Sequence, residues 1–317
     1  MIGLCIESSH LRGMGHLFRS LIIAKELEKR KIKFIFLINN DEQSKTILTT
    51  NHYKFHIVDL EDHVSNWETA LIKKFNISIW VNDRLDTIKS HSKNVIKNNI
   101  PLVTLDDLGS GANLASLNIV SLNSARFEEF HGANVLYGMD YLILNPEIKK
   151  YKRNRNILNS VLVTMGGSDT YGVSVGLVEN LIKHNIRVTA VLGPNFQDLD
   201  RISRYTGENL TIKHNVPSMI EEMFNHDLAI TGGGITPYEA NASGLPCLII
   251  ANEKLEISNG EFLDKLGSSI FLGYYKEVDF SNIDISLDLP RMSKIGLESI
   301  KTDCVVNVVN EVLACRN

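Results

Sequence analysis

The chain has 317 residues and a formal net charge of −4, with 44% hydrophobic and 22% charged residues. These values are typical of a globular protein long enough for two domains, and they exclude the strongly basic surface of a nucleic-acid-binding protein. No apolar run approaches the ~20 residues that span a bilayer, and the N-terminus lacks a secretion-signal pattern. We therefore expect a cytoplasmic monomer without nucleic-acid partners or a membrane span.

The first half of the chain alternates short apolar runs with longer helical patterns, which predicts βα units around a parallel sheet. Its strands are predicted at Ile2–Ile6, Lys33–Ile38, Lys54–Ile57, Ile77–Val81, Leu102–Leu105, Ile119–Ser121 and Val135–Tyr137. Its helices are predicted at Leu17–Arg30, Ser44–Thr50, Ser65–Phe75 and Asp86–Asn98. Residues 141–159 break this rhythm with Pro146 and many lysines, arginines and asparagines, so we predict a linker there.

The second half repeats the alternation after that linker. Its strands are predicted at Ser160–Thr164, Val188–Leu192, Leu210–Lys213, Leu228–Ile230 and Cys247–Ala251. Its helices are predicted at Gly172–His184, Asp198–Tyr205, Val216–Asn225, Thr236–Ala242, Ile257–Leu266 and, as a final helical region, Lys294–Ala314. We predict an α/β protein of two doubly wound, Rossmann-like domains, residues 1–148 and 149–317, with a ligand cleft between them. In an alternative arrangement the final helix packs back on the first domain.

A glycine turn follows the first predicted strand and opens the first helix. It contains Gly13 and Gly15, and His16 and Arg19 lie three residues apart on one face of that helix. Glycines let a ligand approach the backbone, and the free N–H groups of a helix start favour anionic oxygens. The pattern predicts a phosphate-sugar site with His16 as its base. Phe18 at the third glycine position disfavours a dinucleotide fingerprint, and a tight βα connection is the structural alternative.

Two further glycine motifs follow strands in the second half. Thr164–Asp169 begins at the end of one strand, where Ser168 or Asp169 can cap the next helix. Gly232–Gly234 follows another strand and offers a run of N–H donors suited to a diphosphate. Thr236 is predicted as the N-cap of the next helix, with Pro237 at its first position. Glu239, one turn on, could bind a ribose diol or only complement the helix dipole. The predicted nucleotide-binding residues are Gly166, Gly167, Ser168, Gly233, Gly234, Ile235, Thr236 and Glu239.

Taken in order, these motifs resemble those of the pseudaminic-acid-pathway UDP-sugar hydrolases, which belong to the GT-B glycosyltransferase superfamily. The matching segments are Gly-x-Gly-His-x-x-Arg at 13–19, Leu105–Asp107, Tyr137–Glu147, Gly-Gly-Ser-Asp at 166–169, Gly-Gly-Gly-x-Thr-x-x-Glu at 232–239 and Gly-Leu-Pro at 244–246. The resemblance covers nearly the whole chain. It implies the GT-B fold and hydrolysis of a UDP-linked diacetamido-trideoxy sugar, with inversion, in nonulosonic acid biosynthesis.

The resemblance also implies roles for single residues. His16 would act as the base or orient the attacking water, the turn Gly233–Thr236 would bind the diphosphate, and Glu239 would bind the ribose. Backbone N–H groups and Arg19 would supply positive potential to the leaving diphosphate, so the reaction needs neither a metal nor a cofactor. The expected substrate-binding residues are Gly13, Gly15, Arg19, Asp106 and Asn259.

Three segments depart from the pattern of that family. Glu7–His10 stands in place of an Arg-x-Asp-like pair, Asn252–Glu256 in place of Glu-Asn-Gln, and Asn145 in place of an arginine before proline. Asn259 could substitute for a lost sugar contact one turn later. These segments belong to the sugar side of the family's site. A different acylated amino sugar, or a GT-B glycosyltransferase reaction with an alcohol or amine acceptor, therefore stays open.

Carboxylates also follow two central strands of the first half. Asn82 and Asp83 come after one predicted strand, and Asp106 and Asp107 after the next. They could form a cluster at the cleft, but their spacing matches no recognised metal-ligand pattern. We interpret Asp83 as a loop cap, and Asp106 as either a loop cap or a sugar contact.

Overall fold

The computed structural model describes residues 1–8, 14–122, 124–167, 169–193, 196–205, 207–214 and 216–316. The chain divides into two compact units. The first is formed by Met1–Leu144 together with Asp303–Asn317, and the second by Asn145–Thr302. No helix within these ranges is long and apolar enough to cross a membrane.

The first unit is built on one parallel sheet. Its strands are β1 (Ile2–Ile6), β2 (Phe34–Ile38), β3 (Phe55–Ile57), β4 (Ile79–Asp83), β5 (Leu102–Leu105), β6 (Leu117–Val120) and β7 (Val135–Tyr137). Its helices are α1 (Gly15–Lys29), α2 (Glu42–Thr50), α3 (Trp67–Phe75) and α4 (Lys89–Ile96). The strand order is β3-β2-β1-β4-β5-β6-β7. Because the order reverses between β1 and β4, the carboxyl ends of those strands form a topological switch point.

The sheet of the first unit is covered on both faces, which explains its nearly continuous apolar strands. Successive side chains of a strand point to opposite faces. Leu4 and Ile6 of β1 pack in one core cluster with Leu17 of α1. Cys5, between them, packs in a second cluster with Val95 of α4. These contacts hold α1 against one face of β1 and α4 against the other. The position of the start of α1 is thereby fixed relative to the sheet.

The second unit repeats this architecture with six strands. They are β8 (Ser160–Thr164), β9 (Arg187–Leu192), β10 (Leu210–His214), β11 (Leu228–Thr231), β12 (Cys247–Ala251) and β13 (Ser269–Tyr274). Its helices are α5 (Val173–Leu181), α6 (Leu199–Ile202), α7 (Met219–Asn225), α8 (Thr236–Ala242), α9 (Ile257–Leu266) and α10 (Leu289–Ser299). The strands are parallel in the order β10-β9-β8-β11-β12-β13. The switch point of this unit lies between β8 and β11.

The last helix, α11 (Val305–Ala314), belongs to the first unit although it comes last in the chain. Val308 and Val309 are buried in the same core cluster as α1. On its surface, Arg30 Nη1 donates a hydrogen bond to Asn310 Oδ1 over 2.7 Å. The packing arises because α11 carries an apolar face that its own terminal segment cannot bury.

Most strands lie where the sequence predicts them, and two differences have clear physical reasons. β4 runs on to Asp83, beyond the predicted end at Val81, because its last two side chains are polar yet buried. β13 was not predicted. Its side chains are mostly half-buried, so it lacks the apolar signal of a central strand, and Gly273 lies in it at φ 124.

The chain passes from the first unit to the second after Leu144, inside the predicted linker at residues 141–159, but most of this segment packs in the second unit. Pro146–Tyr151 forms a 3₁₀ helix in which Ile148 is fully buried. Arg153 donates to Asp227 Oδ1 over 3.0 Å. Arg155 is completely buried and donates to backbone carbonyl oxygens. The basic composition of the segment predicted a solvated connection. Instead, the hydrogen bonds of Arg153 and Arg155 hold the segment against the second unit.

Candidate functional site

The predicted functional segments lie at the switch points of the two sheets. In the first unit, α1 begins near the carboxyl end of β1, while β4 ends at Asp83 and β5 ends directly before Asp106. In the second unit, β8 leads into Gly166–Gly167 and β11 leads into Gly232–Gly234. Ligands of open α/β sheets bind at such points. The cleft predicted between the two halves stays a prediction.

His16 is held by a carboxylate at the end of β4. Its Nδ1–H donates to Asp83 Oδ1 over 2.7 Å, and Asp83 is 1% exposed. Because a carboxylate needs a donor, the hydrogen-bond network assigns the proton of a neutral imidazole to Nδ1. No residue in the described ranges hydrogen-bonds to Nε2, and the side chain is 16% exposed. The lone pair of Nε2 is therefore able to accept a proton.

Asp83 is kept ionised by donors on three sides. Arg19 Nε and Ser20 Oγ each donate to its Oδ2 over 3.0 Å. Burial opposes the charge, but the Arg19 guanidinium and His16 outweigh it and hold the pKa of Asp83 far below its usual range. An ionised carboxylate behind Nδ1 orients the imidazole and stabilises the imidazolium that forms on proton uptake. The interpretation of Asp83 as a loop cap was wrong.

Arg19 joins two buried carboxylates. Besides its bonds to Asp83, its Nη1 donates to Asp106 Oδ2. Burial disfavours the charged guanidinium, but the two carboxylates outweigh this and raise the pKa of Arg19 above its ordinary value. The side chain of Arg19 is 8% exposed, and in this structure its guanidinium bonds to the two carboxylates. The sequence predicts instead that Arg19 acts on the leaving diphosphate.

Asp106 is the second anchor of Arg19. Its Oδ1 accepts from the backbone N–H groups of Ser121 and Leu122 over 2.8 and 3.1 Å. Its backbone has φ 49, the left-handed region that an aspartate tolerates better than most residues. The side chain is buried, so in this structure Asp106 holds Arg19, which in turn bonds to Asp83. The sequence predicts a sugar contact for Asp106.

The predicted carboxylate cluster is split between the two faces of the sheet. Asp83 and Asp106 bond to Arg19 on one face. On the other face Asn82 Nδ2 donates to Thr87 Oγ1, which in turn donates to Asp107. Burial raises the pKa of Asp107 against the hydrogen bonds that lower it. For Asn82 and Asp83 strand alternation causes this separation, since adjacent residues of a strand face opposite ways. Asp106 and Asp107 follow the end of β5, and their hydrogen bonds place them with Arg19 and with Thr87, respectively.

The turn after β8 has open space beside it. A Cβ built on Gly166, which has φ +86, or on Gly167 meets no described heavy atom within 4 Å. Gly193, at the end of β9, is required by packing, because a Cβ there would lie 2.2 Å from the Gly167 carbonyl oxygen. Asn252 Nδ2 donates to Met165 O over 3.3 Å and ties this turn to the loop after β12. A ligand can therefore approach the Gly166–Gly167 backbone closely.

The turn after β11 is held by side chains from α9 and the loop before it. The N–H of Gly233 donates to Glu256 Oε2 over 3.2 Å. Asn259 Nδ2 donates to the Gly233 carbonyl oxygen over 3.0 Å, and the Tyr238 hydroxyl donates to Asn259 Oδ1 over 3.2 Å. Asn259 is 5% exposed, so it supports the turn from within, whereas the sequence predicts a sugar contact.

The start of α8 places an unusual carboxyl group near the same turn. Ile235 is the N-cap and Thr236 the first helical residue, so the prediction of Thr236 as N-cap was wrong by one position. Glu239 lies in the first turn and is half-buried. Burial raises the pKa of Glu239 to about 7, against a hydrogen bond to the Asn145 backbone that lowers it. Near neutral pH both the protonated and the ionised form of this carboxyl group are therefore populated.

Three further predicted site residues are Gly13, Gly15 and Ser168. Gly13 and Ser168 lie outside the described residues. Gly15 is the first residue of α1, and a Cβ there would meet no described heavy atom within 4 Å. In the described part of the chain, no group of three or more His, Cys, Asp and Glu side chains could hold a metal ion.

Three residues that shape these sites were not among the predicted site residues: Asp83, Gly193 and Glu256. Asp83 was considered but misassigned; its signal was a charged residue directly after an apolar strand. Gly193 had a similar signal, a glycine directly after an apolar strand. Glu256 lies 23 residues from Gly233, and nothing in the pattern indicates that the two meet.

Comparison with known proteins identifies distant relatives. No protein-family model matches the chain. It is 26% identical to the uncharacterized protein MJ1062 of Methanocaldococcus jannaschii, in an alignment that covers 94% of this chain and 68% of that protein. It is 23% identical to the spore coat polysaccharide biosynthesis protein SpsG of Bacillus subtilis, covering 86% of this chain and 83% of SpsG.

Solved structures share the architecture at low sequence identity. MurG of Acinetobacter baumannii superposes with a TM-score of 0.71 at 12% identity, covering 99% of both chains. Anabaena Alr3699/HepE in complex with UDP-glucose gives 0.66 at 15% identity, covering 99% of both chains. Glycosyltransferase VinC in complex with DTDP gives 0.69 at 10% identity, covering 100% of this chain and 99% of VinC. The predicted GT-B fold is confirmed.

Proposed function

We propose that this GT-B protein is a UDP-sugar enzyme in which His16 acts as general base and the glycine turns of the second unit bind the nucleotide. The observation that carries the proposal is the pair of His16 with Asp83, a buried carboxylate kept ionised by Arg19. A structural histidine does not need both an ionised partner at one ring nitrogen and a second ring nitrogen to which no described residue hydrogen-bonds. The fold shared with a protein crystallised with UDP-glucose supports the choice of ligand.

The proposed reaction uses only groups of the chain and its substrate. As the oxygen of a water molecule bonds to the anomeric carbon, Nε2 of His16 takes a proton from that water. The bond between that carbon and the diphosphate oxygen breaks, and its electron pair leaves with UDP, so the configuration inverts. Asp83 balances the charge of the imidazolium, and Arg19 holds Asp83 in its ionised form.

In the second unit, the proposal assigns the leaving diphosphate to backbone N–H groups. The turns at Gly166–Gly167 and Gly233–Thr236 follow β8 and β11, where a switch point and a helix start both favour an anion. Glu239 is proposed to accept hydrogen bonds from the ribose diol. The open space beside Gly167 supports close approach of the ligand.

For the substrate we propose a UDP-linked diacetamido-trideoxy sugar, with water as the acceptor, in nonulosonic acid biosynthesis. The support is the ordered set of motifs from Gly13 to Pro246, which resembles the UDP-sugar hydrolases of that pathway. The departures at Glu7–His10, Asn145 and Asn252–Glu256 concern the sugar, so the sugar panel must be broad.

A glycosyltransferase reaction is the second candidate. It is favoured by the fold shared with the glycosyltransferase VinC. In this reaction Nε2 of His16 takes its proton from an alcohol or amine acceptor, which replaces water as the nucleophile. The UDP half of the proposal is the same for both reactions.

The test is release of UDP and free sugar from a panel of UDP-diacetamido and UDP-N-acetyl hexoses without any acceptor. His16→Asn should lower turnover by about 10²–10⁴, the usual effect of losing a general base, and change UDP affinity only a few-fold. His52→Asn is the matched control, because His52 is exposed at φ 59, a conformation that asparagine adopts readily.

The three outcomes separate the candidates. Release of free sugar identifies a hydrolase and its substrate. UDP binding without release from the panel favours the glycosyltransferase. Full turnover of His16→Asn contradicts the role of His16 as base in either reaction.

A further inference from the structure

The carboxylate of Glu256 occupies a small hole lined by backbone N–H groups. Its Oε2 accepts from the N–H of Asn252 over 2.8 Å, of Gly233 over 3.2 Å and of Glu253 over 3.4 Å. Two of these donors belong to the loop after β12, and the third belongs to the glycine turn after β11. The Glu256 side chain thus accepts from N–H groups of two loops, the loop after β12 and the turn after β11.

Converging backbone N–H groups of this kind can bind an anionic oxygen, either of a ligand or, as at the start of the 3₁₀ helix Lys254–Glu256, of a capping side chain. Here the Glu256 oxygen stands where a phosphate oxygen would accept the Gly233 N–H. The contact is tight, because a Cβ built on Gly233 would lie 2.8 Å from both the Cβ and the carbonyl oxygen of Glu256. Oε1 of Glu256 is also near, at 3.6 Å from a Cβ built on Gly234.

The surroundings of Glu256 favour its removal by a competing anion. In the described ranges no lysine, arginine or histidine forms an ion pair with it. The charge that acts on it is Glu253, a like charge on the same loop, whose Oε1 accepts from the Tyr171 hydroxyl over 2.9 Å. Burial raises the pKa of Glu256, against the N–H bonds that lower it. Among the described residues, only neutral N–H groups donate to the carboxylate, and the Glu253 N–H does so as part of the capping box that starts the 3₁₀ helix Lys254–Glu256.

We propose that Glu256 sets the affinity of the glycine turn for phosphate by acting as a resident anion that the ligand must displace. The inference rests on the proposed nucleotide site and assigns that site a built-in competitor. A phosphate oxygen binds the Gly233 N–H only when the Glu256 carboxylate withdraws from it. Ligands without a phosphate do not meet this competition.

The experiment measures binding of UDP, uridine and inorganic pyrophosphate to the full chain by calorimetry. Glu256→Gln keeps the shape and an acceptor oxygen but removes the charge. It should bind UDP and pyrophosphate about tenfold more tightly, which corresponds to ~1.4 kcal/mol, with uridine affinity unchanged. Glu253→Gln is the matched control, since it removes a charge from the same loop but leaves the N–H hole filled, so its affinities should stay within about twofold of the wild type.

A second variant guards against a folding defect in Glu256→Gln. Glu256→Asp keeps the charge and shortens the side chain by one methylene group, so its carboxylate should lose the Gly233 N–H. It should also bind UDP more tightly than the wild type, by less than Glu256→Gln does. Thermal melts of all three variants show whether each is folded before binding is measured.

Unchanged or weaker binding of pyrophosphate and UDP to folded Glu256→Gln overturns the inference, and so does an equal gain in Glu253→Gln. If neither the wild type nor any variant binds UDP, the proposed function fails. Pyrophosphate then decides the inference separately, because a gain confined to the Glu256 variants still supports it and no gain overturns it.

Discussion

The two switch points of this protein share a strand order but present different atoms to a ligand. At the switch point of the first unit, His16, Asp83 and Arg19 form a network of charged side chains. At that of the second unit, glycine turns follow β8 and β11, and the Gly233 N–H donates to the side chain of Glu256. In the proposed function the same strand order therefore supports proton transfer in the first unit, which needs titratable side chains, and anion binding in the second unit, which needs backbone N–H groups.

Two of the buried arginines, Arg19 and Arg155, show the same division. Arg19 is balanced by the carboxylates of Asp83 and Asp106, which raise its pKa. Arg155 in the second unit is balanced by carbonyl oxygens, including those of Met223 and Ser243. Burial lowers the pKa of Arg155 to about 9. The first unit therefore stores opposite charges beside its histidine, while the second unit uses its arginine to satisfy the ends of α7 and α8.

The largest expected effect breaks the network of the first unit. Asp83→Asn should lower turnover by about 10²–10⁴, because a neutral amide neither orients His16 in the same tautomer nor balances the imidazolium. UDP affinity should change little. Asp107→Asn is the control, since Asp107 lies at the same sheet edge on the opposite face and bonds to Thr87. Equal losses of turnover in both variants, measured in the UDP-release assay, would contradict the specific role of Asp83.

The next comparison replaces Arg19 and Arg155, one at a time, by methionine. Arg19→Met leaves two buried carboxylates without their cation and should lower the free energy of unfolding by about 3–5 kcal/mol. Arg155→Met leaves only carbonyl oxygens without a donor and should cost about 1–3 kcal/mol. Urea denaturation of both variants measures the difference. A larger loss in Arg155→Met would show that the helix ends depend on this arginine more than the carboxylates depend on theirs.

A pair of glycine variants separates the fold from ligand approach in the second unit. Gly233→Ala places a Cβ 2.8 Å from Glu256 atoms and should destabilise the protein by about 1–3 kcal/mol. Gly167→Ala meets no described atom within 4 Å, so the free energy of unfolding should change by less than about 0.5 kcal/mol. If the nucleotide approaches this turn, Gly167→Ala should still weaken UDP binding in calorimetry. Unchanged UDP affinity would remove Gly167 from the proposed site.

The smallest expected effect concerns the pH dependence of Glu239. Its pKa is raised from 4.5 to about 7, so the folded protein holds a proton that the unfolded chain releases. The contribution of this group to stability is complete below pH 4.5 and is lost as the pH rises through about 7. The full shift corresponds to about 2.5 kcal/mol between pH 5 and 8. Because the half-buried carboxyl group keeps part of its solvation, Glu239→Gln, which does not titrate, should gain about 1 kcal/mol relative to the wild type over this range. Parallel stability curves for the two proteins across this range would contradict the raised pKa.

Local patterns in the sequence predicted most of the fold. Apolar runs bounded by turns identified the central strands, because parallel strands covered on both faces carry little else. The pattern failed where burial and polarity disagree. Asn82 and Asp83 look like a loop but end a buried strand, and Arg153 and Arg155 look like a solvated linker but bond inside the second unit.

By itself, the sequence determined the two α/β halves, the glycine turns and the position of His16 at the start of a helix. Those features depend on residues close together in the chain, whose spacing sets local structure. Only the tertiary structure decided that Asp83, 67 residues from His16, is its partner, and that Glu256, 23 residues from Gly233, fills its N–H hole. Such pairs depend on strand order and on which face each side chain takes, and these follow from the packing of the whole sheet.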